Sequence, residues 1–423
     1  VKTNANSQTI VIGAGVAGLA CAIRLTEAGR QVSIVEATDR VGGRVATDHV
    51  DGFTLDVGFQ VLLTAYPACR ALLDYDALRL RAFEPGAKVR HRGRLCTLGD
   101  PWRRPMQAIS TALSPVASLG DKLRIAKLRA QSRQGSLQQL YELPDCSTES
   151  YLRELGFSES FIDEFFRPFL GGVYLDESLQ VSRRMLDFVF RMFASGDIAV
   201  PADGMSAIPQ QLVQRLPQGT VKFQQAVTSI TDGTVHFSDG TEQKADQIVV
   251  ATESDAAARL LQLPEIKTRW GQSTTIYYTG PAPKNAGKFL VLRGDEEGPI
   301  QTAVILSNVA REYAPGDAGL MSICLSENFS VPDPTDLDWV DRQVKKQART
   351  WFGSCTDSWK FIRSYQLPFG LPQRSLDPVV RSVDASDHGG PKNVLLCGDY
   401  LETPSINGAM QAGLQAAEAI LAK

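Results

Sequence analysis

Apolar residues along this chain fall into two rhythms. Short continuous runs read as buried strands: Gln8 to Ile12 (QTIVI), Gln31 to Val35, Val221 to Ile230, Gly233 to Phe237, Asp246 to Ala251 (DQIVVA) and Asn393 to Leu396. Ser238-Asp239-Gly240 supplies a turn signal among them. Four further strand-like runs, Thr274 to Tyr278, Phe289 to Leu292, Thr302 to Leu306 and Gly319 to Leu325, make residues 263–384 look β-rich. Three- and four-residue spacing predicts helices instead. It runs from the first glycine turn to Gly29, over Leu123 to Arg133 and Tyr151 to Phe169, and into a closing helix with Ala416, Ala417 and Ile420. Residues 100–199 therefore look helical.

Between the first strand and the first helix stands Gly13-Ala14-Gly15-Val16-Ala17-Gly18, a complete G-x-G-x-x-G. Gly13 lets the chain leave the strand tightly, Gly15 lets a pyrophosphate approach the backbone, and Gly18 lets the helix pack against the sheet. The helix start offers unpaired N–H groups and a positive dipole end to phosphates. The second strand ends at Glu36, where a carboxylate accepts hydrogen bonds from an adenosine ribose. A purely structural glycine turn leaves Glu36 unexplained.

The next residues extend the site. After Glu36 come Ala37-Thr38-Asp39-Arg40-Val41-Gly42-Gly43-Arg44, and later Gly58-Phe59-Gln60. A plain nicotinamide-dinucleotide domain needs no second glycine loop so soon. A longer flavin cofactor does: Gly42 and Gly43 let backbone lie beside it, and Arg44 offers charge-assisted hydrogen bonds. This E-A-x-x-R-x-G-G-R block resembles the flavin-containing amine oxidase superfamily, which includes monoamine oxidases, protoporphyrinogen oxidases and phytoene-type desaturases, all binding FAD.

The resemblance spans the whole chain and implies roles for further residues. Gly398-Asp399 matches the pair beside the ribityl and pyrophosphate. Ser405, Ile406, Asn407 and Ala409 match the start of a last helix whose N–H groups point at the flavin pyrimidine edge. Val227 matches the residue whose backbone contacts adenine, and Ala251 a loop near the pyrophosphate. Gly58, Phe59 and Gln60 match the loop beside the flavin ring, with Gln60 a candidate polar contact. The fold implied is α/β. A Rossmann-like (GR2-type) FAD-binding domain, residues 1–66, 200–262 and 385–423, is interleaved with an α+β substrate domain, residues 67–199 and 263–384. The latter has a helical lobe at about 100–199 and a mixed β-sheet.

Composition narrows the classes. The chain has 423 residues, 43% hydrophobic and 22% charged, with a net charge of −3, which argues against nucleic-acid binding. The start VKTNANSQ is polar and does not read as a signal peptide, and no run of 18 apolar residues offers a membrane span. Seven scattered cysteines without a C-x-x-C point to a reducing cytoplasm rather than a disulfide framework. Four histidines, none at ligand spacing with another, predict no metal site, and no G-x-S-x-G supports a hydrolase.

The resemblance also implies the chemistry: substrate hydride goes to the flavin, while the protein orients and shields. No second G-x-G-x-x-G is present, so reoxidation is expected from oxygen or a quinone. Monoamine oxidases carry a lysine in a strand ending V-Y-Y. The similar strand here, Gly271 to Tyr278, has none, and Tyr365 to Gly370 lacks their covalent cysteine. Noncovalent FAD and an oxidase or desaturase acting on a hydrophobic conjugated molecule, such as a porphyrinogen or carotenoid precursor, are therefore expected. An amine or amino-acid oxidase and a non-redox mutase or isomerase stay as alternatives. Tyr278 is a second candidate beside the flavin. Phe165 to Tyr174 (FFRPFLGGVY) resembles a protoporphyrinogen oxidase segment and reads either as an aromatic wall with a Gly-Gly turn or as a glycine-capped helix end in a core. Residues 79–133 hold thirteen Lys and Arg against Glu84, Asp100 and Asp121. Arg90, Arg92 and Arg94 alternate as on one strand face, and Leu119, Leu123 and Ala126 form an apolar helix stripe. This region reads as a peripheral membrane contact, an acidic-substrate clamp or a solvated face. Oligomeric state is open.

Overall fold

A computed structural model describes residues 8–329, 336–373 and 382–423. The elements that position the site are β1 (Gln8–Ile12), α1 (Val16–Glu27), β2 (Gln31–Val35), β3 (Phe53–Asp56), α2 (Leu119–Ser132), α3 (Arg167–Tyr174), α4 (Arg183–Ser195), β4 (Val221–Lys222), β5 (Gln247–Val250), β6 (Arg269–Gly280), α5 (Leu337–Phe352), β7 (Lys360–Gln373), β8 (Val394–Leu396) and α6 (Ile406–Leu421).

Five strands form an all-parallel sheet in the order β4-β2-β1-β5-β8. Its central strands are apolar throughout because both faces are covered. On one face lies α1, which buries Val16 to Ile23 and Leu25 against α6. These helices approach closely because Gly413 has no side chain: a Cβ there would collide with the Ala17 carbonyl oxygen and sit 3.0 Å from Ala20 Cβ. Gly413→Ala gains about 1 kcal/mol of helix propensity. Overpacking costs about 1–3 kcal/mol, at the upper end here because the obstacle is backbone. The thermal midpoint is expected to fall. A midpoint at or above that of the parent would contradict this helix contact.

The second layer is a seven-stranded mixed sheet. Its order is β7, β6, Gly319–Leu325, Ile300–Ile305, Leu290–Leu292, Gly86–His91 and Arg94–Gly99. Only the Leu290–Leu292 pairing with Gly86–His91 is parallel. One face packs on α5 through Ile276, Tyr278, Val291, Val344, Ala348 and Trp351. The helical lobe, with α2, α3 and α4, packs beside it. The fold is thus α/β with parallel and mixed sheets.

Several sequence expectations change. Val221 to Ile230 is not one strand. It divides into β4 in the parallel sheet and Val227–Thr231 in a small antiparallel sheet, because Gln224 takes a left-handed conformation (φ 57°). Tyr151 to Phe169 is not one helix either. Gly156, at φ 83°, ends Thr148–Glu154, and the chain resumes through a π-helical turn at Ile162–Phe166 into α3. Arg90, Arg92 and Arg94 do not share a strand face, since Arg92 (φ 48°) and Gly93 form the hairpin turn between two strands. Arg90 is buried against Glu296, its Nε donating at 2.8 Å. The polar lead before Gln8 lies outside the described residues.

Candidate functional site

Parallel pairing aligns Ile12, Val35, Val250 and Leu396, so four strands end together. That edge gathers Gly13 to Gly18, Glu36, Ala251 and Gly398-Asp399. Such carboxyl edges are where open α/β sheets bind ligands.

The glycines divide the work. Gly13 has φ 106°, and a Cβ there would lie 2.8 Å from the Ala251 carbonyl oxygen. A Cβ on Gly18 would collide with the Gly13 carbonyl. Gly15 differs: its conformation is extended, and a Cβ would meet nothing within 4 Å. It faces open space at the start of α1, which has no side-chain cap and no acid in its first turn. Val16 and Ala17 therefore present N–H groups without a helical partner. Gly42 donates to Ala14 O at 2.9 Å, and Gly43 (φ 57°) lies against Gly15, so the second glycine loop rests on the first. A start of this kind, uncapped and free of acids, suits a pyrophosphate.

Glu36 is half-buried and already holds the loop together. Its Oε2 accepts the Ala14 N–H at 2.8 Å, and its Oε1 accepts from the Thr38 N–H at 2.9 Å and hydroxyl at 2.8 Å. A carboxylate oxygen takes two donors, so Oε2 keeps acceptor capacity. Gln224 and Gln225 donate to the Thr38 and Glu36 carbonyls, which brings the chain before Val227 beside this acid. Ala37 lies exposed next to it.

Arg44 joins the two ends of the sequence. Its Nη2 donates to Asp399 Oδ1 at 2.6 Å, its Nη1 to Gly370 O at 3.1 Å, and its guanidinium sits 5.1 Å from the Trp270 ring. Asp399 is nearly sealed from solvent. Glu253 Oε1 lies 3.9 Å from Arg44, and burial pushes its carboxyl pKa up. The sequence reading missed Glu253 and Trp270. Only the two-residue offset of Glu253 from Ala251 could have flagged the first.

At the last helix, Ser405 Oγ accepts the Gly408 N–H at 3.0 Å and caps α6. This leaves the Ile406 and Asn407 N–H groups as helix-start donors, with no acid in the turn. Asn407 is buried and accepts the Ala68 N–H at 2.9 Å. Ala409 is buried one turn into the helix.

The loop after β3 is fixed from several sides. Gly58 has φ 86° with Leu367 against it, and Phe59 donates its N–H to Thr275 Oγ1 at 3.2 Å. The Phe59 ring meets Phe83 edge-on at 6.2 Å. Gln60 spends its amide nitrogen on the Arg44 and Val57 carbonyls, at 2.7 and 3.0 Å. Only its oxygen is left to face a ligand. Tyr278 is not at this site. Side chains alternate along β6, so Tyr277 reaches the Asp56 carbonyl at 2.9 Å while Tyr278 packs on the opposite face with Trp359 and α5.

Asp56, just before this loop, is fully buried. Its carboxylate accepts from Thr47 Oγ1 at 2.6 Å, the Met205 N–H at 2.8 Å and Tyr313 OH at 2.9 Å. Burial outweighs these bonds and pushes its pKa from 3.8 up to about 6. A carboxyl whose pKa is higher folded than unfolded binds more protons when folded. Stability therefore rises as pH falls through about 6 toward the unfolded value of 3.8. At neutral pH the ionised group costs about 3 kcal/mol. Urea midpoints of the parent should gain on those of Asp56→Asn between pH 7 and pH 5. Parallel profiles would contradict the shift.

In the Phe165 to Tyr174 segment, both glycines lie inside α3 rather than in a turn. The helix is closed by Leu175 at φ 53°, not by glycine. Gly171 lets α3 lie on Gln301 of the mixed sheet, where a Cβ would come within 2.8 Å of the amide nitrogen, and Gly172 faces Thr302. Rings stack from Phe161 through Phe165 to Phe169 at 5.1 and 5.6 Å, and Phe169 meets Phe193 of α4 at 5.5 Å. Phe165, Phe169 and Phe193 are only half-buried.

Comparison with known proteins places the chain. Zeta-carotene desaturase of Synechocystis is 23% identical over 97% of this chain and 96% of its own length. Protoporphyrinogen oxidase 2 of Arabidopsis thaliana is 29% identical over 41% of this chain and 33% of its own. Reduced UDP-galactopyranose mutase shares the fold, with a TM-score of 0.70 at 18% identity over 99% of this chain and 96% of that one. The family model described as flavin containing amine oxidoreductase matches residues 16–421. With the uncapped start of α1 and the open Gly15 of this site, that match makes the chain a member of the flavin-containing amine oxidoreductase family and an FAD-dependent oxidoreductase.

Proposed function

We propose that this enzyme is an oxidase or desaturase that removes hydride from a hydrophobic conjugated small molecule of the porphyrinogen or carotenoid-precursor kind. The observation that carries the reading is the neutrality of the surroundings of Gly58 to Gln60. Phe59, Phe83, Leu367 and Thr275 meet there, and the nearby Asp56 is turned into its own hydrogen bonds. Among the described residues that meet Phe59 there is no carboxylate to receive a cationic amine, whereas a flat apolar molecule suits such a lining.

In this reading Gly13 to Gly18 and Gly42-Gly43 pass the pyrophosphate. Glu36 and Ala37 take the ribose, the Val227 backbone takes the adenine, and Ala251, Arg44, Gly398 and Asp399 flank the chain of the cofactor. Ser405 to Ala409 and Gly58 to Gln60 bracket the ring. FAD, when bound, supplies the hydride acceptor. The protein's own task is then to orient substrate, exclude water and hold the loop still, which suits a site without histidine. Each turnover passes two electrons on to oxygen or a quinone, and a substrate proton leaves to solvent.

Steady-state assays in air test the reading. Dehydrogenated product from a porphyrinogen or carotenoid precursor, with no peroxide from primary amines, is the expected result. Peroxide from amines alone would overturn it.

A further inference from the structure

We infer that the segment from Trp102 to Leu123 is a docking surface for an anionic lipid bilayer. Six large apolar side chains stand in solvent within these residues. Met106 is 93% exposed, Leu113 78%, Leu119 75%, Ile109 and Leu123 73%, and Trp102 50%. This is more than half of the eleven exposed large apolar side chains among the described residues, gathered in one short stretch. A soluble surface scatters such residues singly, and their concentration marks an interaction site.

The segment is held together, so the side chains act jointly. Lys122 Nζ donates to the carbonyls of Ala112 and Ser114 at 2.8 and 2.9 Å, tying the start of α2 to the stretch carrying Ile109 and Leu113. The Arg129 guanidinium lies 5.2 Å from the Trp102 ring. Ser118 and Asp121 form a capping box that fixes where α2 begins. Leu119 and Leu123 are one turn apart and face the same way. The helix stripe expected from sequence thus exists but is turned outward, not into a core.

Charge decides the occupant. Residues 101–133 carry seven Lys and Arg against the single Asp121, which is itself buried in its cap. Arg103 is paired with Asp197, Arg104 with Glu84, Arg124 with Asp121 and Arg129 with Asp100, whereas exposed Lys127 and Arg133 form no ion pair among the described residues. Apolar side chains with such cations on the same and adjoining turns match the boundary between acyl chains and anionic headgroups. A second copy meeting this face about a twofold axis would set cation against cation. The surface also adjoins the aromatic stack: Arg129 donates to Ala194 O, next to Phe193. No helix among the described residues is long and apolar enough to cross a membrane, so the contact is peripheral. The inference rests on the surface itself and stands or falls apart from the substrate reading.

The test is flotation of the FAD-loaded enzyme with phosphatidylcholine vesicles, with and without phosphatidylglycerol. The parent should float with the anionic vesicles and lose binding as salt rises. Met106→Ser/Leu113→Ser should cut binding at least tenfold while keeping flavin absorbance and thermal midpoint, since both side chains already stand in solvent. Lys127→Ala should weaken it about fivefold, the equivalent of ~1 kcal/mol per basic residue near such a surface. Absence of flotation at low salt would overturn the inference. So would equal flotation of the apolar double variant. Self-association of the parent that the double variant abolishes, without vesicle binding, would assign the face to a second copy instead.

Discussion

Gly15→Glu is expected to give a chain that folds and melts like the parent but purifies colourless. The position tolerates a side chain, because its backbone is not left-handed and a Cβ meets nothing within 4 Å. A carboxylate there would sit by the first-turn N–H groups of α1, which have no helical partner, and favour the helix by about 0.3–1 kcal/mol. The same carboxylate occupies the volume and the donors that a pyrophosphate needs, so FAD affinity should fall by orders of magnitude. Gly18 offers no such test, since its Cβ would collide with the Gly13 carbonyl and disturb the fold itself. Flavin absorbance after gel filtration, set beside a melting curve, separates the cases. A folded, yellow Gly15→Glu protein would contradict the assignment of this turn.

The second large effect is expected at Arg44. Arg44→Met strands the nearly sealed Asp399 without its partner and removes the bond to Gly370 O. Breaking one side of a buried pair costs about 3 kcal/mol or more. Asp399→Asn in the same chain should return most of that stability, because no charge is then left unpaired. The coupling energy appears as the shortfall from additivity in a double-mutant cycle. FAD affinity should stay low in both variants. Losses that simply add would show that Arg44 and Asp399 act independently.

Much of the cofactor edge was legible in the sequence because its signals are local. A glycine at each tight spot, an acid at a strand end and an apolar run of five residues depend on neighbours only. What failed was non-local or hidden in conformation. The break before Val227 turns on a left-handed Gln224, a residue type that announces no turn. Tyr277 and Tyr278 read alike as a pair, yet strand alternation sends only one toward Asp56. The basic hairpin at Gly86–Gly99 joins the sheet of residues 269–373 through a pairing that no pattern encodes. Gln60 stands out in the sequence only as a polar residue after Gly58-Phe59, and that its nitrogen serves the Arg44 carbonyl shows only in the folded chain.

The central claim is that the neutral surroundings of Phe59 select an apolar conjugated substrate. Anaerobic mixing of the purified enzyme with a porphyrinogen, a carotenoid precursor and a set of primary amines tests it directly, read at the oxidised flavin band. The account predicts bleaching by one of the conjugated substrates and none by the amines. Bleaching by amines alone would contradict it.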